Sequence, residues 1–263
     1  MVLLVDTKPD GVRLRTLNRP ERKNALSTAL VEALTRALIE ADSDKSVRVV
    51  VITGAADPTS PRAAFCAGGD LGGGPSGEGF FEQHQERSGF AQLLLALRRL
   101  SKPSIAAVNG TALGGGFGLV LACDLAVAAQ DAELGTPEVK RGLFPMMIAA
   151  LIYEQLPRKA ANELVLTGGK VSGARAVELG VVNRVVPPAE LMAAALGYAG
   201  HLASLSTSVL QLGKRAIRHQ HDMPFEQKLA FLSDQLTLNL QLEDAAEGIT
   251  AFLQKRAPHW TGR

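Results

Sequence analysis

Cysteine, charge of one sign and long apolar runs are all scarce in this sequence, and each scarcity removes a class of protein. There are two cysteines in 263 residues, Cys66 and Cys123. Each sits in an apolar or glycine-rich run, so neither a disulfide framework nor cysteine-based metal spacing is on offer. A reducing, cytoplasmic setting is expected. Lysine and arginine number 28 against 26 aspartates and glutamates, with the signs interleaved, so no broad field exists to attract a polyanion. Nucleic acid is not an expected partner. No apolar run approaches the ~18 residues of a membrane helix, and Met1-Val2-Leu3-Leu4-Val5-Asp6 lacks the basic start of a targeting segment. No membrane association is expected. His84, His201, His219, His221 and His259 form no recognisable ligand set, and no metal or redox cofactor is expected. Internal repeats, low-complexity tracts and heptad arrays are also missing from the reading.

What is present suits a substantial core: 46% of the residues are apolar, enough for one main domain and a smaller appendage. Val2 to Val5 and Val12 to Leu17 flank the turn-forming Pro9-Asp10-Gly11 and read as a hairpin. Ser27 caps a predicted helix in which Leu30, Leu34 and Leu38 share a face. The run Val47 to Thr53 is almost wholly apolar, as expected of a strand covered on both sides. Residues 54–79 are rich in Gly, Pro, Ala and Ser and predict a long loop with a task other than packing. A helix over 80–99, strands at Ser104–Val108 and Leu125–Ala128, and an apolar helix opened by Gly114-Gly115-Gly116 complete a β–loop–α alternation. From about Ala189 the pattern is helical, punctuated by Pro224 and Pro258. The expected division is a core over residues 1–195 and a helical region over 196–263.

The glycine runs carry the chemistry. A residue without a Cβ lets the main chain approach a ligand and adopt positive φ, and an N–H at a helix start gains from the helix dipole. Fixed amide donors of this kind stabilise the charge that develops on a carbonyl oxygen. Dinucleotide and phosphate loops fit less well, since Gly-x-Gly-x-x-Gly and Gly-x-x-x-x-Gly-Lys-Ser/Thr are both absent.

Several segments occur in a telling order: Leu17-Asn18-Arg19-Pro20, Asn24-Ala25-Leu26, Ala64-Phe65-Cys66-Ala67-Gly68-Gly69-Asp70-Leu71, and Lys102 through Gly110. Ala112 through Gly116, Ala122-Cys123-Asp124, Gly135-Thr136-Pro137-Glu138, Leu166-Thr167-Gly168 and Glu247 through Arg256 continue it. Across essentially the whole chain the sequence resembles the crotonase superfamily, that of enoyl-CoA hydratase and isomerase. The resemblance implies an α/β fold, a spiral of repeated ββα units followed by a helical trimerisation region, and assembly as a homotrimer or a dimer of trimers. It implies an acyl-CoA substrate of the kind met in fatty-acid metabolism, with coenzyme A part of the substrate and no separate cofactor. By motif position, Gly69 and Gly115 supply the oxyanion N–H groups and Glu138 the acid/base. Leu26, Ala67, Gly68, Asp70 and Leu71 belong to the coenzyme A loop, with Asp70 fixing that loop by hydrogen bonding. Phe252 walls the acyl tunnel, and Lys255 of a neighbouring subunit approaches the phosphates, or is a solvated helix-end cation. Arg22 and Lys23 are phosphate contacts or ordinary surface charge.

Two departures matter. Hydratases of this family use two glutamates, one to activate water and one to deliver a proton to C2; the position matching the other glutamate is Gly118, which leaves that place empty. Glu138 lies in an apolar neighbourhood expected to raise its pKa. Where many hydratases continue with glycines, this chain has Pro145-Met146-Met147-Ile148, an adaptable apolar surface suited to an acyl pocket or simply to the core. The resemblance therefore implies an enoyl-CoA hydratase/isomerase-type enzyme with a single glutamate. Migration of a 3-enoyl double bond is the first alternative, cleavage by an aromatic acyl-CoA hydratase-lyase the next, and a non-catalytic acyl-CoA-binding protein the last. Tyr153 and Tyr198 are the only tyrosines available to a phenolic substrate. Cys66 lacks a sequence-local base and reads as a small buried hydrophobe rather than a nucleophile.

Overall fold

The structure is a computed structural model describing residues 1–60, 63–70 and 79–263. The predicted hairpin forms β1 (Leu3–Thr7) and β2 (Val12–Leu17), paired antiparallel from Leu3 opposite Leu17 to Thr7 opposite Arg13. It leads into α1 (Thr28–Ser43), whose first turn is capped by the Ser27 hydroxyl accepting from the Leu30 N–H at 3.3 Å. At the other end of α1, the buried Arg15 guanidinium donates to the Ala37 carbonyl at 3.0 Å, and the buried Lys102 ammonium donates to the carbonyls of Ala41 and Asp44. Lys102 there satisfies the orphan carbonyl of Ala41, and a cation at this end opposes the negative end of the helix dipole.

Three further units repeat one plan. β3 (Val49–Gly54), β4 (Ala64–Cys66) and α2 (Phe80–Arg99) form the first; β5 (Ser104–Val108), β6 (Thr111–Leu113) and α3 (Gly115–Ala122) the second. β7 (Leu125–Ala129), β8 (Glu133–Gly135), a 3-10 turn at Pro137–Arg141 and α4 (Met146–Gln155) form the third. The leading strand of each unit joins a large sheet in the order β1-β2-β3-β5-β7-β10, where β10 is Arg184–Val186. The second strand joins a small sheet in the order β4-β6-β8-β9, where β9 is Lys170–Ser172. Neighbouring strands β3-β5-β7 and β4-β6-β8 are parallel, so the chain climbs as a spiral, adding one strand to each sheet per turn. α5 (Arg158–Thr167) and α6 (Gly173–Glu178) flank β9. The repeat is structural: its second strands are three residues long, too short to leave a periodic trace in the sequence.

The large sheet is buried on both faces, as its apolar strands require. On one side Val50, Ile52, Ala106, Val108, Ala126 and Ala128 pack with α1, α2 and α3 in the main core. On the other, Val49, Val51, Ile105, Ala107, Val127 and Ala129 meet α7 (Leu191–Ala203). α7 presents Leu191, Ala195, Ala199 and Ala203 at four-residue spacing, and this row of mostly methyl side chains lets the helix lie close on the sheet. Each fully buried Val, Ile or Leu contributes about 1.5–3 kcal/mol. The expected long loop over 54–79 contains a strand after all: β4 is wholly buried and pairs with β6 in the small sheet through Ala64–Thr111 and Cys66–Ala112.

α8 (Thr207–His219), α9 (Phe225–Leu240) and α10 (Glu243–Leu253) follow. Buried Asp244 ties α10 to the start of α8 and to the C-terminal tail by accepting from the Ser206 hydroxyl at 2.6 Å and the Thr261 N–H at 2.7 Å. No helix among the described residues is long and apolar enough to cross a membrane.

Candidate active site

Three successive turns of the spiral each end their small-sheet strand at the same place. β4 ends at Cys66 and is followed by Gly68 and Gly69; β6 ends at Leu113 and is followed by Gly114 and Gly115; β8 ends at Gly135 and is followed, within three residues, by Glu138. Because these strands are side by side and parallel, the three loops emerge next to one another. Sequence-distant residues thus meet through a repeat that the sequence does not display.

The first two loops pack back to back. Gly68 holds φ +95°, and a Cβ there would lie 2.8 Å from the Leu113 carbonyl oxygen and 3.4 Å from the Gly115 nitrogen. Gly114 holds φ +53°, and a Cβ there would lie 2.7 Å from Glu138 Oε1. Both positions therefore exclude larger residues on backbone conformation and on space. The first loop is tied down by the Leu26 N–H donating to the Gly68 carbonyl (2.8 Å), by the Asp70 N–H donating to the Leu26 carbonyl (3.1 Å), and by an Arg19–Asp70 ion pair at 2.7 Å. The second is held by the Gly114 N–H donating to the Gly135 carbonyl at 2.9 Å. Among the described residues the N–H groups of Gly69 and Gly115 have no backbone acceptor. Gly115 also opens α3, adding the positive end of a helix dipole.

Gly69, Gly115 and Glu138 line one cleft of about 490 Å³. Its remaining walls come from Leu26, Thr28 and Val31 at the start of α1, Arg87 and Phe90 on α2, and the stretch Leu143 to Ile148 entering α4. Glu138 is the only acid in that lining among the described residues. Its Oε2 is buried with no hydrogen-bond partner. Burial pushes this carboxyl above its ordinary pKa, against the opposing pull of its own backbone N–H and of the Arg141 charge. Two unengaged amides beside a desolvated carboxyl can hold a developing oxyanion while a proton moves on or off the adjacent carbon.

The expected vacancy at Gly118 is filled. A Cβ added there would overlap Ile148 Cγ2 and lie 3.6 Å from Phe90 Cζ. The space that a glutamate would use is taken by the side chain of Ile148, one of the residues standing where glycines were expected. Met146 and Met147 line the mouth and are exposed, so they are not core.

Leu26 reaches the cleft as expected, and Ala67 lies on the same loop, its N–H donating to the Lys23 carbonyl at 3.0 Å. Leu71 lies outside the described residues. Phe252 and Lys255, at the end of α10, are exposed and do not line the cleft of their own chain. Cys66 and Cys123 are free thiols whose pKa values burial pushes up to about 12, which makes both poor nucleophiles. Tyr153 donates to Asn162 at 2.7 Å and Tyr198 packs under Arg184; neither lines the cleft. Sequence reasoning missed Arg87 and Phe90. Their three-residue spacing on a predicted helix puts them on one face, but nothing in the sequence pointed that face at the glycine loops.

A two-sheet ββα spiral that brings paired backbone amides and a desolvated carboxyl to one apolar cleft defines a crotonase-type enzyme. Comparison with known proteins agrees. The sequence profile of the family described as Enoyl-CoA hydratase/isomerase matches residues 7–263. The 2,3-dehydroadipyl-CoA hydratase of Escherichia coli K12 is 36% identical over 261 residues, covering 99% of each chain. The mitochondrial enoyl-CoA hydratase domain-containing protein 3 of Mus musculus is 33% identical, over 96% of this chain and 82% of that one. The crystal structure of an enoyl-CoA hydratase from Mycobacterium smegmatis superimposes with a TM-score of 0.93 at 35% identity, covering 99% of each chain. The chain belongs to the enoyl-CoA hydratase/isomerase family of the crotonase superfamily.

Proposed function

We propose that the protein acts at the double bond of an enoyl-CoA through a thioester enolate, with Gly69 and Gly115 donating to the carbonyl oxygen and Glu138 as the single acid/base. The observation that carries this reading is the buried, unpartnered Oε2 of Glu138 beside two unengaged amides. Donors fixed before the reaction need no reorganisation as charge develops, and a carboxyl with a raised pKa gives and takes a proton nearer neutrality. Hydration is the reaction that agrees with the relatives' names: Glu138 delivers its proton to C2 as water adds at C3, and the carboxylate left behind takes the proton that the water gives up.

A second reading, isomerisation of a 3-enoyl-CoA to the 2-enoyl-CoA, is favoured by one specific feature. One carboxyl suffices to carry a proton between C4 and C2, and Ile148 occupies the place of a second. Aromatic cleavage finds less support, because both tyrosines are engaged away from the cleft. A mere binder has no use for a desolvated carboxyl at the thioester. Incubation with 2-enoyl-, 3-enoyl- and aromatic acyl-CoAs, read by mass and chromatography, separates these outcomes. Gain of one water supports hydration, an isobaric product supports isomerisation, and the absence of any product contradicts the proposed enzyme.

The wider setting follows the same reasoning. On α9, Phe225, Leu229, Leu232, Leu236 and Leu240 recur at helical spacing and are 36–69% exposed. An apolar stripe of this length fits the contact of a homotrimer or a dimer of trimers, with residues 196–263 as the oligomerisation region and Phe252 and Lys255 offered to a neighbouring subunit. Ala67, Gly68, Asp70 and Leu71 would form the coenzyme A loop. Two free thiols suit a cytoplasmic site of action.

A further inference from the structure

Among the described residues one cation lines the cleft, Arg87, and the proposed chemistry leaves it without a task. Arg87 lies on α2 three residues before Phe90, so the two share a face of the helix and line the same cleft as Glu138, Gly69 and Gly115. Phe90 marks the reacting end, because its Cζ stands 3.2 Å from the Cβ that Gly115 would carry. Arg87 is displaced from it by ~4.5 Å along the helix axis and is exposed where Phe90 is half-buried. The walls between are apolar: Val31, Phe90, Phe144, Met147 and Ile148.

The guanidinium is held and still has hydrogens to give. Its Nε donates to the Gln83 carbonyl at 2.8 Å and its Nη2 to Gln83 Oε1 at 3.1 Å. Among the described residues it has no carboxylate within ion-pair distance. Gln83 restrains two donors without neutralising the charge, which leaves Nη hydrogens for an anion arriving along the cleft. An arginine fork matches a carboxylate in shape as well as charge. A cation beside an apolar wall disfavours a hydrocarbon tail and favours an anionic one.

We propose that Arg87 receives a carboxylate at the far end of the acyl group, so that the substrate is a short-chain enoyl-CoA whose tail is itself an acid. This inference rests on the reading of the cleft as an acyl-CoA site. The anionic partner has two chemical sources, a carboxylate on the acyl tail or a phosphate of coenzyme A, and the cleft favours the first because Arg87 shares it with the reacting groups.

The test is direct binding, measured calorimetrically on the full chain, of two saturated six-carbon thioesters that need no turnover: adipyl-CoA, which ends in a carboxylate, and hexanoyl-CoA, which does not. Free coenzyme A is the third arm. Wild type is expected to bind adipyl-CoA about 10–100-fold more tightly than hexanoyl-CoA, the range for hydrogen bonds to a charged group. Arg87→Met is expected to remove that preference while leaving free coenzyme A and hexanoyl-CoA unchanged, and Arg87→Lys to keep part of it. Equal binding of the two thioesters by wild type overturns the proposal alone, as does tighter binding of hexanoyl-CoA. If Arg87→Met weakens all three ligands equally, the partner is a coenzyme A phosphate and the proposal fails. If wild type binds neither thioester, the acyl-CoA reading of the cleft fails with it.

Discussion

The two ends of the cleft are built on different principles. At the reacting end the parts are main chain, Gly69 and Gly115, with one carboxyl set over Gly114, and all three are delivered by the same position in successive turns of the spiral. At the far end the parts are side chains from α2 and from the entry to α4, Arg87 and Met147, with Phe90 and Ile148 at the border between the two ends. The first end is fixed by sheet register and by Gly68 and Gly114, which tolerate no Cβ; the second is built of side chains, which substitution can alter one at a time. Such a division lets one scaffold keep the enolate while its substrate and even its proton inventory vary.

The sharpest way to break this comparison is at the reacting end. Glu138→Gln is expected to lower turnover by about 10²–10⁴-fold, the range for a lost general acid/base, with acyl-CoA binding nearly intact. Steady-state kinetics beside calorimetry checks it, and near-wild-type turnover would remove Glu138 from the chemistry.

The next effect tests the border between the ends. Gly118→Glu alone should be destabilised by about 1–3 kcal/mol, as for an overpacked core, because its Cβ meets Ile148. Gly118→Glu with Ile148→Ala relieves the overlap. This pair should raise crotonyl-CoA hydration by roughly tenfold or more if water activation is what a one-carboxyl site lacks. A well-folded double variant with no gain would show that the missing carboxyl does not limit hydration.

The smallest effect is one of pH. Since burial raises the Glu138 pKa, the limb of kcat/KM that reports this carboxyl, alkaline if it enters hydration protonated and acid if it enters isomerisation ionised, should lie above the ordinary glutamate value of about 4.3 and vanish in Glu138→Gln. The sign for stability follows from linkage. The folded chain holds this proton more tightly than the unfolded chain, so stability falls as pH rises through the raised value. Glu138→Gln should therefore melt no lower than wild type at neutral pH, and its advantage should shrink toward pH 4. A limb at or below the ordinary value would contradict the desolvated site.

Much of the reacting end was legible in the sequence, and much of the far end was not. The hairpin, the Ser27 cap, the doubly covered strand near Val49 and the glycine-opened helix α3 each carry a local signal that survives folding. The meeting of Gly69, Gly115 and Glu138 was reached through motif order; the physical reason for it, parallel strands of three residues in a second sheet, has no local signature. β4 was hidden inside a stretch whose composition reads as loop. Gly118 was recognised as a departure but not its counterpart, because only the fold sets Ile148 against it. Arg87 stayed invisible for the same reason: its helix was predicted, its direction was not.

The central claim, that one carboxyl and two amides generate an enolate, is tested most directly by hydrogen exchange at C2. Saturated butyryl-CoA incubated with the protein in heavy water should take up deuterium at C2, read by mass, at a rate that falls about 10²–10⁴-fold in Glu138→Gln. Exchange that proceeds unchanged in Glu138→Gln, or fails altogether in a wild type that binds the thioester, would contradict the account.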